Sequence, residues 1–169
     1  MTSVTVSSNS ATTVNKSRVS KTEIRLATVD EMLAEATTLF EEHYEEIARN
    51  KEVMKLKPDE KAYHKLEEAN QIFILSARQD DVLIGYSVNF VLNHPHYADL
   101  VLAQNDLLYI KKEMRGSRAG LRLIKETEIY ATSLGCKLML WHAKENTALG
   151  AILPRLKYGV QDIIYSKEL

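Results

Sequence analysis

Apolar positions in the first part of the chain follow the spacing of a strand and then that of a helix. Glu23 to Ala27 form a strand-like run, and Thr28 to Glu31 offer a capping residue with acids in the first helical turn. Apolar residues then recur at steps of three and four, and His43 lies on the same stripe. The other members of the stripe are Met32, Ala36, Leu39, Phe40 and Ile47. We therefore predict a helix that turns His43 inward or into a cleft, and a second helix from Pro58 to about Ala69.

The middle of the chain has the short period of strands. The runs Ile72 to Ala77 and Val82 to Val91 flank an Asp80-Asp81 turn, which predicts a hairpin. After a loop, Leu100 to Ile110 predicts another long strand. Four alternate residues of this strand are expected to share one face, namely Gln104, Asp106, Leu108 and Ile110.

The last third of the chain alternates helix and strand signals. A helix from Leu121 carries apolar residues along one side and stops at Gly135, a natural C-cap. Lys137 to His142 then predicts a strand, and this strand–helix–strand unit requires a right-handed crossover between parallel neighbours. The predicted fold class is therefore α/β, with a mixed, largely antiparallel sheet and helices on both faces.

Two further elements are predicted near the end of the chain. Asn146 or Thr147 can cap a last helix that runs through about Leu156. The apolar run from Val160 to Ser166 predicts a final strand.

The composition is typical of a soluble globular protein. The 169 residues are 45% apolar and 27% charged, which predicts one domain, over residues 23–169. Residues 1–22 are rich in Ser and Thr and lack acids and apolar runs, so we predict a disordered lead-in. A net charge of -1 argues against a main role in wrapping nucleic acid or coating a membrane, and no apolar stretch is long enough for a membrane span. Cys136 is the only cysteine, which favours a reducing compartment such as the cytoplasm.

The strongest chemical signal is the turn Arg115-Gly116-Ser117-Arg118-Ala119-Gly120. It lies between the strand that ends at Ile110 and the helix that begins at Leu121. A Gly-containing turn exposes backbone N–H groups, and the helix adds the positive end of its dipole, so the segment can hold a diphosphate. The spacing fits neither the dinucleotide nor the Walker glycine motif, and a basic helix-start turn without a ligand is the alternative.

This turn resembles the signature of the GNAT superfamily of N-acetyltransferases, Gln/Arg-x-x-Gly-x-Gly/Ala between a strand and a helix, at Arg115 and Gly120. Leu108-Tyr109-Ile110 looks like the strand end that pairs with pantetheine, and Asn146-Thr147-Ala148 resembles the family's Asn-x-x-Ala region. The resemblance implies a GNAT-like fold, acetyl-CoA as acyl donor and direct N-acetyl transfer to a primary amine. The amino-acid sequence around the turn and at residues 158–162 also resembles that of a phage-type subgroup of the family.

The resemblance assigns the cofactor-binding residues. Arg115 to Gly120 are expected to hold the diphosphate, while the backbone of Tyr109 and Ile110 pairs with pantetheine and Asn146 adds a contact. An N–H near Ile110 would polarise the thioester carbonyl. Arg118, with Arg122 and Lys125, would meet the remaining phosphate, or these cations are a solvated helix face.

Three departures from the family pattern affect catalysis. Arg118 replaces the middle glycine, and Leu153 stands where the family has the tyrosine that protonates the leaving thiolate. We expect Tyr158, which is nearby in sequence, to take that tyrosine's role, with a tyrosine on another element as the alternative. Gln104 aligns with the usual glutamate base, so Asp106 is the first candidate for the base and His43 the second, each with a purely structural role as the alternative.

The acceptor site is less defined by the sequence. The acids Glu42, Glu46 and Asp99 are candidates to attract a cationic amine, and the aromatic Tyr44 and Tyr97 are candidates to stack on it. The acids have a solvated helix face as the alternative. His94 and His96 lie two residues apart, but no third ligand has a fixed spacing, so no metal site is predicted. His142 is interpreted as a core or crevice residue.

Two other functions compete with a small-molecule or protein N-acetyltransferase. A catalytically silent CoA-binding or acyl-CoA-binding protein of the same fold would explain the missing tyrosine and glutamate. A nucleic-acid-modifying GNAT-like enzyme would explain the basic residues from Lys111 to Lys125, although the balanced net charge disfavours it. The oligomeric state is open, with a homodimer as one option, and no membrane partner is expected.

Overall fold

A computed structural model describes residues 21–169, so the predicted disordered lead-in, residues 1–22, lies outside the described residues except for its last two positions. One five-stranded sheet has the order β1-β2-β3-β4-β5. The strands are β1 (Glu23–Ala27), β2 (Ile72–Gln79), β3 (Val82–Asn93), β4 (Val101–Ile110) and β5 (Leu138–Trp141). Neighbouring strands are antiparallel except β4 and β5, which are parallel. The prediction of a mixed, largely antiparallel sheet is confirmed.

Helices cover both faces of the sheet, as predicted. They are α1 (Val29–Glu35), α2 (Thr37–Ile47), α3 (Glu60–Glu68), α4 (Ala119–Ser133) and α5 (Ala148–Ile152), with short 3-10 turns at Lys112–Met114 and Leu153–Leu156. On one face, α1, α2 and α3 pack over a buried cluster that includes Met32, Leu39, Tyr86 and Val88. On the other face, α4 packs over Phe73, Leu75, Ile84 and Ala103. None of the helices within residues 21–169 is long and apolar enough to cross a membrane.

The first predicted helix is two helices. Thr28 caps α1 as expected, because its side chain accepts from the N–H of Glu31 and the Glu31 side chain accepts from the N–H of Thr28. The helix ends at Ala36, where φ is -97° and ψ is 4°, and a new helix starts at Thr37. The break coincides with two consecutive β-branched residues, Thr37 and Thr38, which have lower helix propensity.

The predictions at the end of the chain are partly wrong. Thr147 caps α5, but that helix ends at Ile152 and gives way to the 3-10 turn. No strand forms between Val160 and Ser166, and the side chains of Val160 and Ile164 are 82% and 77% exposed. An apolar run forms a strand only if a neighbouring strand pairs with it, and this segment pairs with no strand among residues 21–169.

A β-bulge in β4 changes which residues share a face. Val88 pairs with Leu107 while the next residue of β3, Asn89, pairs with Asn105, so Asp106 is an extra residue without a partner. Leu108 and Ile110 pack on the α4 side of the sheet, whereas Asp106 lines a cavity on the α1–α3 side. The expectation that these residues share one face is wrong because the extra residue reverses the alternation.

Buried polar side chains hold this bulge. The amide nitrogen of Asn105, which is fully buried, lies 3.2 Å from the carbonyl oxygen of Val88 and 3.0 Å from that of Leu107. It also lies 3.0 Å from the side-chain oxygen of Asn89. These contacts join the residues on both sides of the bulge, so that the amide replaces pairing that the irregular ladder does not supply.

Replacement of Asn105 by alanine should destabilise the fold. The change leaves buried carbonyl oxygens without donors, so we expect the free energy of unfolding to fall by about 2–4 kcal/mol. Urea unfolding measures this loss. Ser133→Ala, on an exposed helix position, is the matched control and should stay within about 0.5 kcal/mol of wild type. A loss no larger than that for Asn105→Ala would show that its amide does not hold the bulge.

Candidate active site

The turn from Arg115 to Gly120 has free backbone donors at the start of a long helix. The N–H groups of Gly116, Arg118, Gly120 and Leu121 donate to no acceptor within residues 21–169. They precede or begin α4, which is 15 residues long, so its positive dipole end adds to their field. The residues therefore fit a diphosphate, and the fit rests mainly on backbone groups.

Arg118 adopts a conformation that favours glycine. Its φ is +67° in the left-handed region, and it is the N-cap of α4. The middle glycine of the GNAT signature falls at this position, and a positive φ is a conformation that glycine adopts without strain. The Arg118 side chain is exposed at the turn.

The Arg115 side chain connects the turn to α2. Its guanidinium donates to both carboxylate oxygens of Glu46, each at 2.8 Å, and its Nε donates to the Ile110 carbonyl at 3.0 Å. The guanidinium carbon also lies 5.4 Å from the centre of the Tyr109 ring. Hydrogen bonding by Arg115 lowers the pKa of the Glu46 carboxyl. Arg115 therefore fixes the position of α2 relative to the turn.

Other predicted cofactor contacts are differently placed. Arg122 donates to the carbonyl of Thr22, at the start of the described chain. Asn146 lies in the loop before α5 with φ of 62°, and the neighbouring Thr147 side chain accepts from the N–H of Gly150. Within the basic cluster, this leaves the side chains of Arg118 and Lys125 directed to solvent.

A gap opens between β4 and β5 next to the turn. Pairing of the two parallel strands ends at Asn105 and Trp141, while β4 continues to Ile110. Residues 106–110 therefore have one edge without a neighbouring strand. The side chains of Tyr109 and Ile110 are buried, so these two residues can contribute to a ligand in the gap chiefly through their backbones.

A cavity of about 390 Å³ lies on the α1–α3 side of this gap. That volume is within the usual range of small-molecule sites, roughly 300–1,000 Å³. Asp106, His43, Tyr44, Tyr63 and Tyr86 line it together with apolar side chains. The structure therefore brings both predicted base candidates and one predicted aromatic residue to the same cavity.

Asp106 enters the cavity because it is the bulged residue. Desolvation raises the pKa of its carboxyl, and the nearby His142 lowers it to a smaller extent. His142 is close because Asn105 pairs with Trp141, which places the next residue of each strand side by side. The sequence offered no signal for this pairing, since it depends on the register of β4 and β5.

His43 is buried between aromatic rings. Its Nδ1 lies 2.8 Å from the Tyr86 hydroxyl, and its ring stacks on that of Tyr109 with 4.8 Å between centres. Burial lowers the pKa of His43 to about 4, with Glu46 acting in the opposite direction. The imidazole is therefore neutral at neutral pH and accepts a proton poorly.

Most predicted acceptor residues lie outside the cavity. Glu42 accepts from the Tyr109 hydroxyl at 3.1 Å, and both Glu42 and Glu46 line a separate groove beside Tyr109 and Lys112. Tyr97 and Asp99 precede β4, whose ten residues span about 30 Å between them and the turn. The Tyr97 ring packs on that of His94, and no group of three or more metal-ligating side chains occurs within residues 21–169.

Tyr158 lies against α4. Its hydroxyl donates to the Glu128 carboxylate, which Trp141 also approaches through its indole nitrogen at 3.4 Å. Burial, followed by the contact with Glu128, raises the pKa of the Tyr158 hydroxyl, so it is protonated at neutral pH. Tyr158 does not line the cavity of Asp106 and His43. The Leu153 side chain, at the family's tyrosine position, is buried.

Solved structures with the same fold are numerous. An aminoglycoside acetyltransferase from an uncultured soil metagenomic sample has a TM-score of 0.69 at 18% identity, over 88% of this chain and 96% of that one. A ribosomal-protein-alanine N-acetyltransferase from Brucella melitensis biovar Abortus 2308 has a TM-score of 0.64 at 19% identity, over 88% and 97%. Glucosamine-6-phosphate N-acetyltransferase from Arabidopsis thaliana has a TM-score of 0.63 at 9% identity, over 88% and 98%. At these identities the similarity establishes the fold.

The sequence itself establishes the family. Comparison with curated proteins gave no significant match. The profile of the acetyltransferase (GNAT) family matches residues 32–153, which include the turn, the gap and most of the cavity. The chain therefore belongs to the acetyltransferase (GNAT) family of acyltransferases, whose members generally use acetyl-CoA.

Proposed function

We propose that this protein transfers the acetyl group of acetyl-CoA directly to a primary amine, carried by a small molecule or an exposed protein amino group. The observation that carries the proposal is the position of Asp106. Two features meet at this bulged residue. One is the gap between β4 and β5, which lies next to the turn of Arg115 to Gly120, and the other is the cavity on the α1–α3 side of the sheet. A donor and an acceptor can therefore approach each other at residues 106–110.

The proposed chemistry assigns a task to each side chain. Asp106 accepts a proton from the ammonium group of the acceptor, directly or through water, and its raised pKa makes it a better base than an ordinary aspartate. A backbone N–H near Ile110 stabilises the negative charge that develops on the carbonyl oxygen. Acetyl-CoA supplies the activated thioester. Tyr158 remains the proposed donor of a proton to the leaving sulfur, and it would have to exchange its contact with Glu128 for that role.

Direct transfer is supported by the position of the cysteine. An acyl-enzyme route through a thiol needs a reactive thiolate at the site. Cys136, the only cysteine in the sequence, precedes β5 at the end remote from the gap, and desolvation raises the pKa of its thiol. Asp106 therefore acts on the acceptor amine rather than on an enzyme nucleophile.

The remaining proposals rest on sequence. The proposed assignment to a phage-type subgroup rests on the sequence of the turn and of residues 158–162. The proposed cytoplasmic location rests on the single cysteine. A nucleic-acid substrate is less favoured because Arg115 and Arg122 are engaged within the fold. The acceptors named for the structural neighbours are not carried over, since those similarities concern the fold.

A thiol-release assay with acetyl-CoA and a panel of amines tests the proposal. We expect release that depends on the amine, with an acetylated product of matching mass. CoA binding without transfer to any acceptor would instead favour the catalytically silent alternative.

Asp106→Asn should reduce turnover strongly without weakening CoA binding. Loss of the base is expected to lower kcat by about 100-fold, while the diphosphate turn is untouched. Asp106→Asn should also remove the acidic limb of the pH–rate profile, which in wild type should lie above the usual aspartate range because the pKa is raised. Asp80→Asn, in the turn between β2 and β3, is the matched control. Wild-type turnover in Asp106→Asn would reject Asp106 as the base.

The pH dependence of stability tests the lowered pKa of His43. Because the pKa of His43 is lowered to about 4 in the folded state, the unfolded state binds the proton first as pH falls. Stability should therefore be complete above the unfolded-state pKa and fall by about 2 kcal/mol between about pH 7 and pH 5. Urea unfolding at several pH values measures this slope, and His43→Phe should flatten it. An unchanged slope in His43→Phe would contradict the lowered pKa.

Arg118→Gly tests how the turn holds phosphate. Glycine relieves the left-handed backbone, and this offsets its greater freedom in the unfolded state, so we expect stability to be unchanged or to rise by as much as about 1 kcal/mol. Loss of the guanidinium should weaken CoA binding about three- to ten-fold. Lys157→Gly, at a φ of 66° away from the turn, controls for the backbone effect. Tighter CoA binding in Arg118→Gly would show that closer backbone approach outweighs the lost charge.

A further inference from the structure

The cavity has features that identify the kind of amine it accepts. Resting on the proposed function, we propose that the acceptor is a primary amine on an apolar, ring-sized body that also carries a carboxylate. Two observations carry this inference: the apolar walls of the cavity, and the excess of unpaired cations over acids among the side chains that line it.

Apolar side chains form most of the cavity wall. They come from α1, α2, β3 and the loop between α2 and α3, and include Met32, Leu33, Phe40, Met54, Leu56 and Val88. Met54 and Leu56 lie on that loop and are 61% and 42% exposed, although both are large apolar residues. An apolar ligand body would cover them, and its burial would stabilise the complex. A highly polar acceptor would leave this surface unused.

The charged side chains at the cavity are unbalanced. Four cations line it, namely Arg49, Lys55, Lys57 and Lys144, whereas Asp106 is its one acid. Within residues 21–169, none of the four makes an ion pair with a carboxylate. This arrangement favours a ligand that brings its own negative charge.

Two of the cations hold the cavity wall together and remain without an anion. Arg49 donates to the carbonyl of Glu145 at 2.9 Å, and Lys144 donates to the carbonyl of Ile47 at 2.9 Å. These bonds join the end of α2 to the loop after β5. Desolvation and the nearby Arg49 lower the pKa of Lys144, so these two cations repel each other and add to the positive charge of the cavity.

The acids near the cavity do not offset these cations. Glu45 pairs with Lys51 at 2.8 Å, and Glu46 pairs with Arg115. Both acids line the separate groove on the other side of α2. A dicationic or polycationic amine would therefore meet positive charge at this opening, with only Asp106 to attract it.

The positions of the charges indicate the arrangement of the acceptor. Asp106 is on β4 beside the gap, where the amine has to lie for transfer. Lys55 and Lys57 lie on the loop between α2 and α3 and not on β4. We place the carboxylate of the acceptor at these two lysines, so that the amine and the carboxylate lie at opposite ends of the apolar body.

Three probes with one ring and different para groups test this inference. They are para-aminomethylbenzoate, its methyl ester and para-xylylenediamine, which carry a negative, a neutral and a positive group opposite the same amine. We expect kcat/KM for the acid to exceed that for the ester by about ten-fold, and the diamine to be the poorest acceptor. The preference should shrink as salt is raised from about 0.05 M to about 0.5 M, because the cations are exposed.

A charge-removing variant assigns the preference to the cavity. In Lys55→Gln/Lys57→Gln, the ratio of kcat/KM for acid and ester should fall by about five-fold or more. Lys137→Gln removes a positive charge at the start of β5, at the other end of the sheet, and is the control in which the ratio should stay within about two-fold. Both substitutions of the test variant lie on an exposed loop, so folding is not at risk.

Calorimetric binding of the same probes to the CoA-loaded protein keeps this inference separate from the proposed function. Preferential binding of the acid without acetyl transfer would support the inference and reject the proposed function. Transfer with the ester or the diamine preferred would overturn the inference and leave the proposed function standing. Failure of the acid to bind at millimolar concentration would also overturn the inference.

Discussion

The fold of the site depends on one irregular position, the bulge at Asp106, and on the Asn105 amide that holds it. Without the extra residue, β4 would alternate regularly along its whole length. The side chains of residues 107–110 would then lie on the opposite face of the sheet relative to those before the bulge. The bulge lets Ala103 and Leu108 pack on the α4 side while Asp106 faces the cavity. A fully buried amide is a costly group unless its bonds are made. The nitrogen of the Asn105 amide makes them to the strand segments that flank the bulge, whereas the amide oxygen has no hydrogen-bond partner within residues 21–169.

Helix α2 connects the two halves of the site. Glu46 is bound to Arg115 of the turn before α4, and Glu42 accepts from Tyr109 of β4. His43, between these two glutamates in the sequence, faces the cavity and contacts the rings of Tyr86 and Tyr109. Displacement of the helix would therefore alter both the turn and the cavity that contains Asp106. The break at Ala36 allows this segment to take a direction of its own, since α1 and α2 are not one continuous helix.

The parts of the site that the sequence predicts are those fixed by local conformation. The turn at Arg115 to Gly120 is recognisable because a strand, free N–H groups and a helix start follow one another along the chain. The inward position of His43 follows from helical period alone. The bulge and the electrostatic effect of His142 on Asp106 depend on strand register, which a regular alternation of residues does not reveal. The missing strand at Val160 to Ser166 has the same cause, because pairing needs a partner that composition cannot specify.

The location of the gap also limits the reaction geometry. A fully paired sheet would keep a ligand on the α4 side apart from one on the α1–α3 side. Pairing of β4 with β5 stops at Asn105 and Trp141, so residues 106–110 form the stretch of β4 at which the two sides communicate. Asp106 is the first residue of that stretch, and it lines the cavity together with Leu107. The proposed base has to lie where the acceptor amine also has access to a thioester, and a thioester in the gap would meet that amine at Asp106. For this reason we assign the proposed base to Asp106 rather than to Gln104 before it.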